Sequence, residues 1–409
     1  MSPEIHQFDY YLNLNKKYLK VTGLCIDEGD IKRNFLEKLA RRWFFAVNFF
    51  FCSMEVIFEI VWFVNGVLIG RTLNELTYVF PCFTVSCLGN MKVAYFLYYA
   101  HHVVDIILTL RKLQTEHQLK SVDQEKKFDA NDKTKFLNSA MKYLGIINFF
   151  APISFGLCTL GCMLKIYLET HKVELMLPFY ILYPFNVNDL RIYPFIFGHQ
   201  IWCGFFAVFG ILGPDCFFYI SATFIHIQLC CLQFDIAELG TEVLSNYDLW
   251  LIKADMLVKR HRQLIRCISL LQLINSKSTL FNVVTSSFML CLAGFNMIVL
   301  MSFTVLFIMG FVQIFLFCYY GDLLSASSQK CSFAVYDSKW YVAEVSIKKD
   351  LLLILARSQK PCILTASGFM DINLNAFGRV IFSNRIKIDS KTYVVSKNIT
   401  LYFFCFSRS

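Results

Sequence analysis

The sequence predicts an all-α fold, a polytopic membrane helix bundle with a cytosolic N-terminus, six spans and a seventh that is degenerate or replaced. Three observations lead there. First, Ser278 to Gly321 runs for 44 residues without Asp, Glu, Lys or Arg. A bilayer core about 30 Å thick takes roughly 20 helical residues per crossing, so this tract makes two spans joined by a tight turn. Second, 56% of residues are hydrophobic, only 17% are charged, and there are 43 Phe. Mean hydropathy is +0.50, far from soluble averages. Third, with the N-terminus inside, 28 loop Lys/Arg fall on the cytosolic side and four outside, a strong positive-inside bias.

The elements follow in order. Residues 1–43 carry eight Lys/Arg and no apolar run of the length a secretory signal needs, so they are expected to stay in the cytosol. The first span is expected at about Phe44 to Ile69 and the second at Leu73 to Tyr99. Lys112 to Lys142 is charged and helix-compatible, a cytosolic extension before the third span at Tyr143 to Tyr167. In the external loop, 168–193 with its flank, LPFYILYPFNVNDLRIYPF sets Pro178, Pro184 and Pro194 among six aromatics. That composition argues for a folded lid able to roof a pocket, and against a long helix. The tract Pro194 to Leu232 exceeds one crossing, so its helix should leave the bilayer. Residues 233–277 read as cytosolic helical extensions of the fourth and fifth spans, forming a hairpin. Its apolar stripes, Leu239, Val243, Leu251, Met256, Leu257, Leu264, Ile268 and Leu271, need partners that sister subunits could supply. Spans five and six come from the 44-residue tract. Residues 321–368 form a polar segment with spaced aromatics, and 369–409 an atypical tail.

The formal charge of +9 sits on the cytosolic face, where anionic lipid attracts it. Nucleic acid is the weaker explanation, because no basic-aromatic module is visible. Sixteen Cys lie mostly within apolar runs, and neither external loop contains one, so they read as small buried hydrophobes. Cys158 with Cys162, and Cys82 with Cys87, are close in sequence, but no CxxC, HExxH or clustered His accompanies them. No metal site and no cofactor are expected. Neither GxSxG nor a phosphate-binding Gly loop occurs, so nothing points to an enzyme.

The string YYGDLLSASSQKCSFAVYDSKWY, Tyr319 to Tyr341, resembles insect odorant receptors. That family typically follows its sixth span with an aromatic pair, Gly-Asn/Asp-Glu/Leu-Leu, spaced Ser, Ala-Tyr and Trp-Tyr. Here these are Tyr319, Tyr320, Gly321, Asp322, Leu323, Ser325, Ala334, Tyr336, Trp340 and Tyr341. The continuation KKDLLLILARSQKPCILTASGF, the loop string PFNVNDLRIYPF, Asp215 and HIQLCCLQFDIAEL are also similar, so the resemblance spans about residues 30 to 377. It implies an odorant-gated, non-selective cation channel, built from a variable tuning subunit and a shared co-receptor, in the plasma membrane of sensory-neuron dendrites. It also implies that Gly-Asp marks where the sixth helix leaves the bilayer. Helical extensions beyond the membrane would then form a cytosolic anchor joining four subunits, with anchor contacts at Tyr336, Trp340 and Leu352.

A volatile ligand offers little charge, so its site should be an apolar, aromatic-lined cavity with one or two orienting polar groups. By resemblance that cavity lies in the outer halves of the second, third, fourth and sixth helices. The candidates are Tyr78, Phe83, Phe155, Thr159, Trp202, Phe206, Thr304 and Phe307. Ionisable residues within spans are functional candidates by default. Glu55 and Glu59 share a face of the first span, and their expected structural reading is a pair with Lys92 or exposure near the inner leaflet. Asp215 reads as structural.

One departure from the family concerns its last, pore-lining span, which should begin near Asn373. DINLNAF starts well, but Arg379, Arg385, Lys387, Asp389, Lys391 and Lys397 interrupt the remainder. Each charge at bilayer centre costs about 2.5–3.5 kcal/mol on insertion scales, so no 20-residue window should insert readily. The expectation is a segment replaced after Phe377, for instance by translation through an unspliced boundary, giving a non-conducting truncated receptor as the alternative. Asn398-Ile399-Thr400 matches a glycosylation sequon, usable only if the tail reaches the lumen. A G-protein-coupled receptor is the other alternative, but the charge count places the N-terminus on the wrong side, and DRY and NPxxY are missing.

Overall fold

The computed structural model describes residues 3–26, 40–71, 73–118, 124–185, 189–239, 247–296, 301–338, 340–342 and 344–383, with Val187 and isolated positions between 27 and 39. Ten helices are described: α1 (Pro3–Val21), α2 (Trp43–Ile69), α3 (Leu73–Tyr98), α4 (Ala100–Gln118), α5 (Gln124–Thr170), α6 (Tyr193–Leu239), α7 (Tyr247–Asn296), α8 (Met301–Asp337), α9 (Val345–Ser358) and α10 (Leu374–Ser383). A two-stranded antiparallel hairpin, β1 (Thr365–Ala366) and β2 (Met370–Asp371), pairs Thr365 with Asp371 and Ala366 with Met370. Among the described residues, four helices are long and apolar enough to cross a membrane, α2, residues 130–170 of α5, α6, and residues 304–337 of α8, and the bent pair of α3 and α4 brings the number to five if it makes one span. The chain is therefore an all-α membrane helix bundle and a multi-pass membrane protein.

The expected second span, Leu73 to Tyr99, coincides with α3, and the chain turns by 67° into α4 at its end. The expected fifth span, from Ser278, falls on the last turns of α7, where described side chains stop at Ser287. Residues 297–300 and 384–409 lie outside the described residues. So do most of the tail charges, the Asn398 sequon and the greater part of the expected replaced span.

α6 is the axis of the bundle. Its sequence is apolar on every side, and nearly every residue from Phe206 to Leu229 is buried. A helix buried all round needs partners all round, and α6 packs against α1, α2, α3, α4, α5, α7 and α8. Closest is α3, where a Cβ placed on Gly89 would come within 2.5 Å of the Ala207 carbonyl oxygen. Only a residue without a side chain lets these two backbones meet.

α1 lies along the bundle with Phe8, Leu12 and Leu19 buried. Phe8 meets Phe224 edge-on at 4.9 Å, and the Tyr11 and Tyr18 hydroxyls donate to the Thr134 and Met141 carbonyls of α5. α2 ends at Gly70 in the left-handed conformation, φ 78°, and the Arg71 N–H caps the Gly66 carbonyl. α6 and α7 are stitched by Arg260, whose guanidinium reaches Asp235 and Gln228, each at 2.7 Å. Of the residues expected to line that hairpin, Leu257, Leu264, Ile268 and Leu271 are buried, whereas Met256 points outward.

α8 continues without a break through Gly321 and Asp322 to Asp337. Gly321 is where the later chain leans on it: a Cβ there would collide with the Ile372 carbonyl oxygen. The hairpin before α10 is pinned to α7 by Gln272, whose amide donates to the Thr365 carbonyl at 2.9 Å and accepts from the Thr365 N–H at 3.0 Å. Asn373 Oδ1 accepts the Ala376 N–H at 2.8 Å and starts α10. Phe377 then packs between Phe311 and Phe315 of α8.

Candidate functional site

The irregular segment 171–192 folds back onto one end of the bundle. Proline at 178 and 184 removes backbone donors and blocks helix formation there, so side chains must satisfy the backbone. Gln200 of α6, fully buried, does so at Phe179, accepting the Phe179 N–H at 3.1 Å and donating to its carbonyl at 3.2 Å. The same amide donates to the Tyr183 hydroxyl at 3.2 Å. Tyr193 closes the next turn by donating to the Met176 carbonyl at 2.6 Å. The aromatic rings of the segment sink between helices: Phe179 against Phe155 of α5 at 5.5 Å, and Tyr180 stacked on Trp62 of α2 at 5.5 Å.

Several residues expected to line a ligand cavity lie beneath this segment. Phe155 is buried under Phe179. Thr159, one turn away, spends its hydroxyl on the Phe155 carbonyl at 2.9 Å, so its methyl is the group left to present. Phe206 is buried beside Phe45 of α2 at 6.0 Å. Trp202 is 41% exposed, and its indole N–H donates to Asn48 Oδ1 at 2.7 Å. Phe83 sits on α3 beside Phe80. Thr304 and Phe307 lie half-buried on α8, with Phe307 against the core. Tyr78 is on α3, with its side chain outside the described residues. Two small cavities, each of about 10 Å³, lie elsewhere, around Asp215 and Gln313. Each has room for about one water, and none of the eight expected residues lines either.

Those cavities flank a buried polar network. Lys92 of α3 pairs with Asp215 of α6 at 2.5 Å, with both side chains at most 5% exposed. Gln313 of α8 donates to the other Asp215 oxygen at 2.6 Å, and the Lys92 ammonium stands 4.8 Å over the Phe317 ring. The expectation that Lys92 balances Glu55 or Glu59 is thereby corrected. Its partner is on α6, because α3 packs closely there while the carboxylates of α2 face the first turns of α6. Glu55 and Glu59 are buried rather than exposed at a leaflet. Glu55 meets His199 Nδ1 at 3.0 Å, and Glu59 Oε2 is buried with no hydrogen-bond partner. Among the described residues, Glu55, His199 and Cys203 each bring a potential ligand atom within 4.8 Å of the others. Sequence spacing hid this group, since its members sit on α2 and α6. Gln200 and Gln313 give no signal in the sequence, because an uncharged polar residue in an apolar tract carries no mark of the partners it meets across the bundle.

Among the expected anchor residues, Tyr336 is 70% exposed, Leu352 is exposed and Trp340 packs against the core.

A helical bundle with several helices apolar enough to cross a bilayer belongs to the class of polytopic membrane proteins. The family model described as 7tm Odorant receptor matches residues 72–382, and the chain belongs to that family. Its members are receptors and channels rather than enzymes. The chain is similar to odorant receptor 92a of Drosophila melanogaster, 24% identical over 388 residues, covering 92% of this chain and 93% of the relative. It is similar also to odorant receptor 67c of the same species, 24% identical over 362 residues, covering 85% and 87%. Among solved structures, the insect olfactory receptor OR5 from Machilis hrabei superposes with a TM-score of 0.77 at 15% identity, over 98% of this chain and 99% of that one. A structure of OR5 in complex with eugenol gives 0.76 at 16% identity, over 99% of each chain.

Proposed function

We propose that this odorant receptor is the tuning subunit of an odorant-gated, non-selective cation channel in the plasma membrane, working with a shared co-receptor in a tetramer. A small volatile odorant binds in the half of the bundle beneath the 171–192 loop, against Phe155, Thr159, Trp202 and Phe206 with Tyr78, Phe83, Thr304 and Phe307. Family membership over 72–382 supports the sensory role, and the solved relative in complex with eugenol supports a small organic ligand. The observation that carries the placement is the clasp of Gln200 on Phe179, which roofs Phe155 with an aromatic lid. Such a site buries an apolar ligand and leaves few polar groups, here the Tyr183 hydroxyl, to orient it. Gating follows if the ligand binds the open state more tightly than the closed one, and by no more than that difference. The N-terminus faces the cytosol, and Tyr336, Trp340 and Leu352 belong to the anchor that meets the co-receptor.

Odorant-evoked currents from cells expressing the chain with a co-receptor test this. Phe155→Ala should raise the half-activating concentration of an active odorant by at least about tenfold, the cost of a lost buried aromatic contact, while leaving surface expression intact. Unchanged sensitivity would remove Phe155 from the site. A second reading, a non-conducting receptor, is favoured by the charges after Ser383. It predicts no current from the natural chain and recovery when residues from 378 onward are exchanged for an apolar terminal helix. Silence in both forms would sink the channel reading.

A further inference from the structure

Two pairs of ligating side chains face each other where α2 meets the first turns of α6. Glu55 and Glu59 lie one turn apart on α2, only 8% and 3% exposed, and His199 and Cys203 lie one turn apart on α6. The imidazole stands between the groups it touches, with Nδ1 3.0 Å from Glu55 Oε1 and Nε2 3.7 Å from Cys203 Sγ. One ligand atom from each of Glu55, His199 and Cys203 falls within 4.8 Å of the others. A tetrahedral zinc ion with bonds of about 2.0–2.3 Å sets its ligand atoms about 3.3–3.8 Å apart, so the side chains would have to draw together by about 1–1.5 Å and turn one His199 nitrogen towards the ion.

An ion pair between Glu55 and a protonated His199, 3.0 Å apart, is the plain alternative, and it accounts for one contact. It leaves Glu59 unexplained. That carboxylate is buried, and its Oε2 has no partner, a costly arrangement in a low-dielectric interior. A divalent cation one turn away offsets the cost. Thiolate, imidazole and carboxylate together select zinc or a neighbouring transition metal, whereas calcium and magnesium ask for oxygen ligands alone. The His199 side chain is 37% exposed at the protein surface, whereas Glu55 and Cys203 are buried.

We propose that Glu55, His199 and Cys203 form a site for a divalent transition metal, with zinc the best match and Glu59 supplying further negative charge from the adjacent turn. Coordination replaces the Cys203 S–H bond with a metal–sulfur bond, and the released proton passes to solvent. The ion would tie α2 to α6 just beneath the loop, independently of whether the chain conducts.

Cobalt titration of the full-length chain in lipid nanodiscs provides the test, read by thiolate-to-cobalt charge-transfer absorption and reversed by zinc. One tight equivalent is expected. Cys203→Ala should abolish the absorption band, and His199→Ala should weaken binding by at least about tenfold. His199→Cys, which restores a ligand, should recover the affinity and so separates loss of a ligand from loss of folding. A band of equal strength in the parent, Cys203→Ala and His199→Ala would assign the metal to other cysteines and overturn the proposal. So would a parent chain that binds no cobalt.

Discussion

His261 on α7 is buried at 3% exposure, with its Nε2 3.1 Å from the Ser358 hydroxyl of α9. Burial, reinforced by the nearby Arg357 charge, pushes its pKa down from the ordinary 6.5 to about 4. The folded protein therefore holds the ring neutral, while the unfolded chain takes up a proton once the pH falls below about 6.5. Stability contributed by this residue is fully present above that value and is lost as the pH drops towards 4. A thermal-shift series of the solubilised protein between pH 7.5 and 4 should show the melting temperature falling through this window. His261→Gln should flatten the part of the profile that belongs to this contact. A profile identical to that of the parent would show that the α7–α9 contact does not depend on the neutral ring. The same scale explains why the residues of the proposed ligand site are hard to read from sequence. Thr159 appears as a polar group in an apolar tract, yet its hydroxyl is already engaged by its own helix at the Phe155 carbonyl.

Three elements are tied by one buried charge. Asp215 on α6 accepts from Lys92 of α3 and Gln313 of α8, so the relative positions of three helices answer to one carboxylate. Removing one partner of a buried ion pair strands the other, at about 3–5 kcal/mol, whereas exchanging both for apolar residues is often neutral. Asp215→Ala should thus lower the yield of folded, monodisperse protein sharply and destabilise what remains. Lys92→Met combined with Asp215→Leu should recover most of the loss. Equal melting temperatures for Asp215→Ala and the parent would show that the pair is energetically idle. From the sequence, both charges were visible as costly groups inside spans, but their pairing was not. Lys92 could as well have faced Glu55, and only the approach of α3 to α6 at Gly89 decides between them. The hydrophobic tracts themselves were legible because apolar length is a local property. The bend at Tyr99 was not, since the helix runs almost without interruption from α3 into α4 and no proline or glycine marks the turn.

At the scale of the whole molecule, the class followed from two quantities no single residue controls: long uncharged tracts and the lopsided spread of Lys and Arg. The proposed ligand region was less readable, because it lies where α2, α5, α6 and a proline-rich loop converge from distant parts of the chain. The charge distribution predicts that a tag placed before Pro3 in intact cells stays hidden from antibody until the membrane is permeabilised. Labelling without permeabilisation would reverse the orientation, and the odorant-gated reading would fall with it.

The seating of Ile372 against Gly321, with Thr365 fastened to Gln272, carries a consequence for sequence variation at the C-terminus. The launching place of the terminal helix is dictated by the collar in front of it, and α10 inherits that place without having to encode it. Transcript variants that diverge beyond Ser383 would share one docking geometry up to that residue, and would differ only in what they send onward from it.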